Sequence, residues 1–212
     1  MKRYPANRFV LFAVIACAGA VLDLGSKHIV FSDLGYPAGR LTYQQGLHDT
    51  FAHNPHIDGQ SILYMNGWLK FRLFTSFNEG ALWGVGQGFT GMFAAASLAA
   101  IVGIVVWLFV FGAARSRWLT VALSMIMSGT IGNLWDRLAL HGCTDLQGEP
   151  IHAVRDFLLF TFGDYHYPIF NLADSFLVTG AIMLVVQSVF MPAGAQCDAV
   201  ATEPGAAANA AA

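Results

Sequence analysis

Apolar and polar residues fall into long blocks along this chain. Four blocks are long and apolar enough to predict helices that cross a membrane: residues 9–24, 89–112, 118–137 and 173–190. A helix needs roughly 20 apolar residues, within a range of about 17–25, to cross a hydrocarbon core about 30 Å thick. The block pattern therefore predicts a mainly α-helical membrane protein with four transmembrane helices.

A shorter pattern occurs between the first and second blocks. Leu69, Phe71 and Leu73 alternate with Lys70 and Arg72. This period of two is typical of a strand with one apolar face. It predicts a small β element outside the membrane, and we expect the rest of the connecting segments to form a loop or helix segment.

The chain divides into one domain and a tail. Residues 1–191 are predicted to form a single four-span membrane domain, because they contain every block and no internal repeat is evident. Residues 192–212 are rich in Ala, Gly and Pro and lack bulky apolar residues. That composition predicts a disordered tail.

Charge and cysteine content exclude several classes of function. The 212 residues include 11 Lys and Arg and 13 Asp and Glu, whereas soluble domains average about a quarter charged residues. A net charge of −2 gives no electrostatic case for a nucleic-acid partner. Cys17, Cys143 and Cys197 have no CxxC spacing, so neither a disulfide framework nor a zinc knuckle is predicted.

Basic residues near the predicted spans give the orientation. Five of them flank the first span or lie between the second and third: Lys2, Arg3, Arg8, Arg115 and Arg117. Basic connections stay in the cytoplasm, so both termini are predicted to be cytoplasmic. Residues 25–88 and 139–171 then face outward.

Two acidic residues in the second outer segment and the last block suggest the chemistry. Asp156 lies between Val154 and Phe157 in a short apolar stretch that runs to Phe160, and Asp174 lies in the first turn of the last block. Two neighbouring carboxylates cannot both ionise easily, so one becomes an acid and the other a base. Such a pair can activate water against a peptide bond, although Asp174 in a first helical turn is also a capping residue.

Two further motifs carry polar side chains at predicted boundaries. Asn78-Glu79-Gly80 follows the predicted strand, and by itself it is typical of a turn. The third span ends in Asn133-Leu134-Trp135-Asp136-Arg137, where Asp136 and Arg137 suit a membrane interface. Asn133 lies one turn further inside, and a buried amide requires hydrogen-bond partners.

In this order, the motifs resemble those of the bacterial lipoprotein signal peptidase family, signal peptidase II. The matching elements run from Asp23 and Lys27 through residues 78–81, 132–137 and 154–157 to residues 170–175. The resemblance implies an aspartyl endopeptidase of the bacterial cytoplasmic (inner) membrane, with its active site at the outer face. It implies cleavage of prolipoproteins just before a cysteine that carries diacylglycerol.

The resemblance also assigns roles by position. Asp156 and Asp174 match the catalytic pair, while Asp23 and Lys27 match polar positions tied to structure. Six positions match the polar support and substrate-binding residues: Asn78, Gly80, Asn133, Asp136, Arg137 and Asn171. The partners implied are lipidated prolipoproteins and membrane lipids. No cofactor or metal is implied, and we expect a monomer.

Two features depart from the family pattern. Asp145 lies in a lengthened stretch before Asp156 and competes with it as the catalytic acid, but Val154 and Phe157 frame Asp156 as in the family motif. The first outer segment is also extended and contains five candidate metal ligands: His48, Asp49, His53, His56 and Asp58. Their spacing matches no defined ligand pattern, so we predict a loop without metal.

Other interpretations stay open at this point. Asp23, Asp136 and Asp174 are acids in or beside spans, as in a small transporter or proton channel, although no inverted repeat is visible. Residues 14–17 resemble a lipid-attachment box, but cleavage there would remove much of the first span. A presenilin-like protease shares the chemistry, yet its Tyr-Asp and Gly-x-Gly-Asp motifs are absent here.

Overall fold

The computed structural model describes residues 6–35, 61–80, 86, 88–145 and 147–190. Four long helices make up most of it: α1 (Ala6–Leu34), α2 (Thr90–Phe109), α3 (Arg117–Arg137) and α4 (Leu172–Phe190). Four strands form one sheet: β1 (Ser61–Met65), β2 (Leu69–Asn78), β3 (Val154–Phe162) and β4 (Tyr165–His166). The histidine-containing segment around residues 48–58 and the predicted tail, 192–212, lie outside the described residues.

Among the described residues, three helices are long and apolar enough to cross a membrane: α1, α2 and α4. The helix α3 has 21 residues and packs against the other three, but a larger fraction of its residues is polar than in any of them. Most of these polar side chains are buried: Thr120, Ser124, Ser128, Thr130, Asn133 and Asp136. The low hydropathy of α3 therefore reflects side chains that face its neighbours in the bundle.

The helix α1 continues to Leu34, well beyond the predicted block of residues 9–24. The reason lies in Asp23 and Lys27, which are one helical turn apart and form an ion pair of 2.7 Å. Both side chains are fully buried. These two charges mark a contact inside the bundle, and not the end of the helix.

Glycines allow α3 and α4 to approach closely. A Cβ atom at Gly129 of α3 would collide with the backbone oxygen of Ala173, at the start of α4. A Cβ atom at Gly180 of α4 would lie 2.7 Å from the backbone oxygen of Ala122. The absence of side chains at these two positions therefore sets the distance between the helices.

The sheet is antiparallel in the order β1-β2-β3-β4. The pairing of β2 with β3 runs from Leu69 opposite Phe162 to Asn78 opposite Val154, with an irregularity between Leu73 and Ser76. The predicted β element is thus present and larger than expected. In particular, β3 occupies nine residues of the second connecting segment, where a loop or helix segment is predicted from the residue pattern.

An apolar cluster attaches the sheet to the end of α1. Phe31 of α1 packs with Phe77 of β2 and Phe157 of β3, and Ile151 and Ala153 complete the buried group. The rings of Phe31 and Phe77 are 5.4 Å apart between centroids. This cluster fixes β3 over the helices, so that Asp156, next to Phe157, lies where the sheet meets the bundle.

Candidate active site

Asp156 lies on β3 and is only 1% exposed. Its Oδ1 accepts a hydrogen bond from Asn171 Nδ2 at 2.6 Å, and its Oδ2 accepts one from Asn78 Nδ2 at 2.9 Å. The position of Asn78 follows from the register, which pairs Ser76 of β2 with Asp156. Side chains two residues apart on a strand point to the same face, so Asn78 reaches Asp156 diagonally across the sheet.

Asp174 lies in the first turn of α4 and forms a reciprocal cap with Asn171. The Asp174 N–H donates to Asn171 Oδ1 at 3.0 Å, and the Asn171 N–H donates to Asp174 Oδ2 at 3.2 Å. This is a capping-box arrangement. However, Asp174 Oδ1 accepts a separate hydrogen bond from Asn133 Nδ2 at 2.8 Å. Capping therefore accounts for only one of its two oxygens.

Asn171 connects the two aspartates. Its side-chain nitrogen donates to Asp156 Oδ1 at 2.6 Å and to Asn133 Oδ1 at 3.1 Å, while its backbone N–H donates to Asp174. Asn171 is fully buried, so these contacts are protected from water. One asparagine thus sets the position of a strand carboxyl and a helix carboxyl. We refer to these five residues as the polar cluster: Asn78, Asn133, Asp156, Asn171 and Asp174.

The two carboxyls of the polar cluster differ in environment. Burial raises the pKa of Asp156 well above its usual range, and the nearby charge of Asp174 raises it further. The hydrogen bond from Asn78 and the charge of Lys27 oppose this shift because they stabilise the ionised form. Asp174 is only partly buried. The arrangement therefore favours a proton on Asp156.

A buried ion cluster lies against the polar cluster. Lys27 Nζ is 2.7 Å from Asp23 Oδ2 and 3.1 Å from Asp136 Oδ2, and Asp136 Oδ1 is 2.8 Å from Arg155 Nη2. The backbone N–H of Arg155 also donates to Asp136 Oδ2 at 3.0 Å. Lys27 joins the two clusters, because it also donates to Asn133 Oδ1 at 3.1 Å. The ion cluster therefore ties α1, α3 and β3 together behind the aspartates.

Asp23 also positions the start of α4. Its Oδ1 accepts a hydrogen bond from the backbone N–H of Ala173 at 2.8 Å. Gly132 of α3 makes room for this carboxylate, since a Cβ atom there would collide with Asp23 Oδ2. Both Asp23 and Asp136 are thus committed to fixed contacts. This arrangement weakens the interpretation of these acids as an ion pathway.

Gly80 and Arg137 lie at the edge of the polar cluster. The backbone N–H of Gly80 donates to Asn78 Oδ1 at 3.0 Å, which turns the Asn78 amide nitrogen toward Asp156. Arg137 Nη2 is 3.4 Å from the Gly80 oxygen, and its guanidinium lies 5.3 Å from the ring centroid of Phe93. Arg137 also interacts electrostatically with both Asp156 and Asp174. It is thus a cation beside the aspartate pair.

Asp145 belongs to a different local structure. Its Oδ1 accepts hydrogen bonds from the backbone N–H groups of Gln147 and Glu149, both at 2.9 Å. Asp145 therefore stabilises its own turn in the segment between α3 and β3. None of these contacts involves the polar cluster.

Sequence reasoning gave no role to Arg155. Its guanidinium contacts Asp136 through Nε at 3.1 Å and Nη2 at 2.8 Å, and it lies 5.9 Å from the centroid of the Phe31 ring. The signal was present in the adjacent pair Arg155-Asp156. On a strand, neighbouring side chains point to opposite faces, so one of the two had to face away from the polar cluster.

The described residues include no group of three or more His, Cys, Asp or Glu side chains placed to hold a metal ion. The groups that converge here are two carboxyls, three asparagines and nearby cations. Such an arrangement can transfer protons to and from a water molecule and a carbonyl oxygen.

The fold is similar to two solved structures described as bacterial membrane enzymes. One has a TM-score of 0.57 at 22% identity and covers 92% of each chain, and the other has a TM-score of 0.58 at 23% identity and covers 85% of this chain and 94% of that one. The family model of signal peptidase (SPase) II matches residues 15–190. This chain belongs to the signal peptidase II family.

Curated relatives agree with this placement. A lipoprotein signal peptidase of Rhodopirellula baltica is 42% identical over 186 residues, which are 87% of this chain and 74% of the relative. A lipoprotein signal peptidase of Bacillus pumilus is 39% identical over 129 residues, which are 61% of this chain and 74% of the relative.

Proposed function

We propose that this chain is a membrane endopeptidase that removes signal peptides from prolipoproteins, with Asp156 and Asp174 as its catalytic pair. Family membership supports the reaction. The observation that carries the residue assignment is the connection through Asn171, which contacts both carboxyls from one side chain and one backbone N–H. We expect cleavage just before a cysteine that carries diacylglycerol.

In the proposed mechanism Asp156 is the acid and Asp174 the base. Asp156 holds the shared proton because it is the more deeply buried carboxyl and its pKa is raised. Asp174 takes a proton from a water molecule, whose oxygen bonds to the scissile carbonyl carbon. Asp156 gives its proton to the carbonyl oxygen, which yields a gem-diol. The gem-diol then collapses, the C–N bond breaks, and a proton moves to the leaving amine.

Five of the remaining matched residues support this chemistry. Asn78, Asn133 and Asn171 hold the carboxyls by N–H donation, so little reorganisation is needed during the reaction. Gly80 orients Asn78, and the Arg137 cation stabilises negative charge that develops on the substrate. Asp136, Asp23 and Lys27 act from the ion cluster behind them.

The proposed topology has four spans, with α3 as the additional one. Its 21 residues give a length of about 30 Å, which matches the hydrocarbon core. Its buried polar residues are shielded by α1, α2 and α4. Both termini lie in the cytoplasm, as the basic residues at Arg8, Arg115 and Arg117 indicate, and the aspartates lie at the outer face of the bacterial inner membrane. We propose a monomer, since one chain supplies the whole site.

Cleavage of a defined substrate tests the proposal. Purified protein is incubated with a diacylglyceryl-modified precursor, and cleavage is followed by mass spectrometry. Asp156→Asn and Asp174→Asn are each expected to lower kcat at least about 10³-fold, because general acid and base contributions are typically about 10²–10⁴-fold. Asp145→Asn is the matched control and is expected to retain full activity. Near-normal turnover by either site variant refutes the assignment, and an inactive Asp145→Asn protein identifies a different acid.

A further inference from the structure

A narrow cavity of about 280 Å³ opens beside Asp174. One wall consists of the first two turns of α4 and includes Ser175, Val178 and Thr179. The other wall belongs to the segment that precedes α4 and includes Tyr167 and Phe170. Asp174 thus lies at one end of a groove that follows the helix away from the polar cluster.

The groove is apolar although two hydroxyl residues line it. Ser175 Oγ donates to the Asn171 backbone oxygen at 3.3 Å, and Thr179 Oγ1 donates to the Ser175 backbone oxygen at 2.7 Å. Hydroxyls bonded to their own helix in this way have no free proton to donate to a ligand, and only their oxygens can still accept. On the other wall, Tyr167 and Phe170 pack edge to face with centroids 5.7 Å apart. The groove therefore offers carbon surfaces that lead to a single carboxyl.

The groove opens sideways toward the bilayer. Val178 is 56% exposed and begins a row of exposed aliphatic side chains along α4, which continues through Ile182, Val185 and Val189. These residues recur at helical spacing on one face. Because α4 is a candidate membrane span, this row faces hydrocarbon. A lipid chain in the membrane can therefore reach the groove without crossing water.

We propose that this groove binds one acyl chain of the diacylglyceryl group on the substrate cysteine. The inference rests on the proposed function, in which the cleaved bond lies just before that cysteine. When the scissile carbonyl lies between Asp156 and Asp174, the lipid begins one side-chain length away, beside the groove. An apolar, unbranched chain matches the lining.

The size of the groove favours an acyl chain over the helical part of a signal peptide. A helix with its side chains is about 10–12 Å across. The cavity, at about 280 Å³, is slightly smaller than the range of roughly 300–1,000 Å³ for ligand pockets. A single extended chain fits this space, and the signal-peptide helix lies elsewhere.

The groove acts mainly by orientation. Lipid tails are as apolar as the groove walls, so an acyl chain gains little hydrophobic free energy on leaving the bilayer. A chain held along Val178 does, however, fix the cysteine relative to Asp174 and so aligns the bond that is cleaved. Blocking the groove is therefore expected to affect substrates according to their chain length.

The test compares long-chain and short-chain diacylglyceryl precursors of identical peptide sequence. For wild type, Val178→Trp and Val189→Trp, kcat/KM is measured for both substrates in the same lipid nanodiscs. Val178→Trp fills the groove, so its ratio of long-chain to short-chain kcat/KM is expected to fall about tenfold or more. Even one methylene group that fits or fails to fit an apolar pocket changes kcat/KM by roughly 10–200-fold. Val189→Trp places the same ring on the same face of α4, outside the groove, and its ratio is expected to match wild type.

A smaller side chain at position 178 tests whether a wider groove accepts a bulkier acyl chain. Val178→Ala widens the groove, and we expect it to improve kcat/KM for a precursor with methyl-branched acyl chains relative to wild type. An unchanged chain-length ratio in Val178→Trp overturns the proposal. An equal loss for both substrates also overturns it, because the groove then holds peptide. If wild-type protein cleaves neither precursor, the proposed function itself fails, and that result is distinct from either outcome.

Discussion

The ammonium group of Lys27 donates a hydrogen bond to the side-chain oxygen of Asn133 at 3.1 Å. An ammonium has only donors, so this contact forces the Asn133 oxygen toward Lys27 and its amide nitrogen toward Asp174. The family resemblance ties Lys27 to structure alone. In this chain, however, Lys27 determines which group Asn133 presents to an aspartate of the proposed catalytic pair.

Asn133→Asp tests the importance of that orientation. The variant keeps an oxygen for Lys27 but replaces the nitrogen at Asp174 with a second oxygen. We expect kcat to fall at least about 100-fold, because a charge-assisted hydrogen bond is lost and like charges are brought together. Thr130→Val on the same helix is the control, since the Thr130 hydroxyl bonds only to the Ile126 backbone oxygen among the residues that the structure describes. Comparable kcat values in the two variants would contradict the role of Asn133.

Close packing at the start of α4 predicts a specific effect of adding one methyl group. A Cβ atom at Gly129 would collide with the Ala173 backbone oxygen, next to Asp174. We expect Gly129→Ala to lower the free energy of unfolding by about 1–3 kcal/mol, as overpacking does, and to reduce cleavage. Thermal unfolding in detergent and the cleavage assay measure the two effects.

Gly103 provides the matched control for Gly129. It lies in α2, and a Cβ atom there would have nothing within 4 Å. Gly103→Ala is expected to leave cleavage unchanged and to stabilise the helix by up to about 1 kcal/mol. If Gly129→Ala behaves in the same way, α4 tolerates a shift at its start and the packing argument fails.

The environment of Asp156 predicts the pH dependence of cleavage. With Asp156 as the acid, kcat/KM falls as the pH rises through its pKa, which burial and the charge of Asp174 raise. Asn78 opposes this shift, because its N–H stabilises the ionised carboxylate. Asn78→Ala therefore raises the pKa of Asp156 further, and the alkaline limb of the profile is expected to move to higher pH.

An exposed asparagine controls for the substitution itself. Asn66 lies in the exposed turn between β1 and β2, and Asn66→Ala is expected to leave the profile unchanged. An alkaline limb that moves to lower pH in Asn78→Ala would show that Asn78 does not stabilise the carboxylate of Asp156.

The pairing of Arg155 with Asp136 predicts a large effect on stability. Both side chains are buried, and Asp136 accepts from two nitrogens of the guanidinium. Removing one partner of a buried ion pair typically costs about 3–5 kcal/mol, so we expect a loss of this size in Arg155→Met. Arg155→Lys keeps the charge without the planar guanidinium. Its free energy of unfolding should lie between those of Arg155→Met and wild type. A Met variant as stable as wild type would show that Lys27 and the backbone N–H of residue 155 satisfy Asp136 without the guanidinium.

The sequence predicted the long helices and the protein family better than it predicted the sheet. Residues 69–73 alternate clearly, and a strand forms there. In contrast, β3 contains Val154, Phe157 and Leu159, buried without a strict period of two. A strand packed on both faces has no alternation to detect.

Other features could not be derived from residue patterns. Asp23 and Lys27 read as a span boundary, because Asp136 and Asn133, the partners of Lys27, and Ala173, the partner of Asp23, are more than 100 residues away in the chain. The meeting of Asp156 with Asn171 likewise depends on the bridge between Leu158 of β3 and Phe170, just before α4. For the proposed catalytic pair, the resemblance to a family supplied what spacing alone left open.

The inward-facing polar side of α3 has a consequence for biogenesis. As the proposed additional span, α3 carries Asn133 and Asp136, which would be costly to expose to lipid. Lys27 of α1 supplies a partner for each. Release of α3 from the translocon into the bilayer should therefore wait until α1 is in place, and a chain that lacks α1 should leave α3 unintegrated.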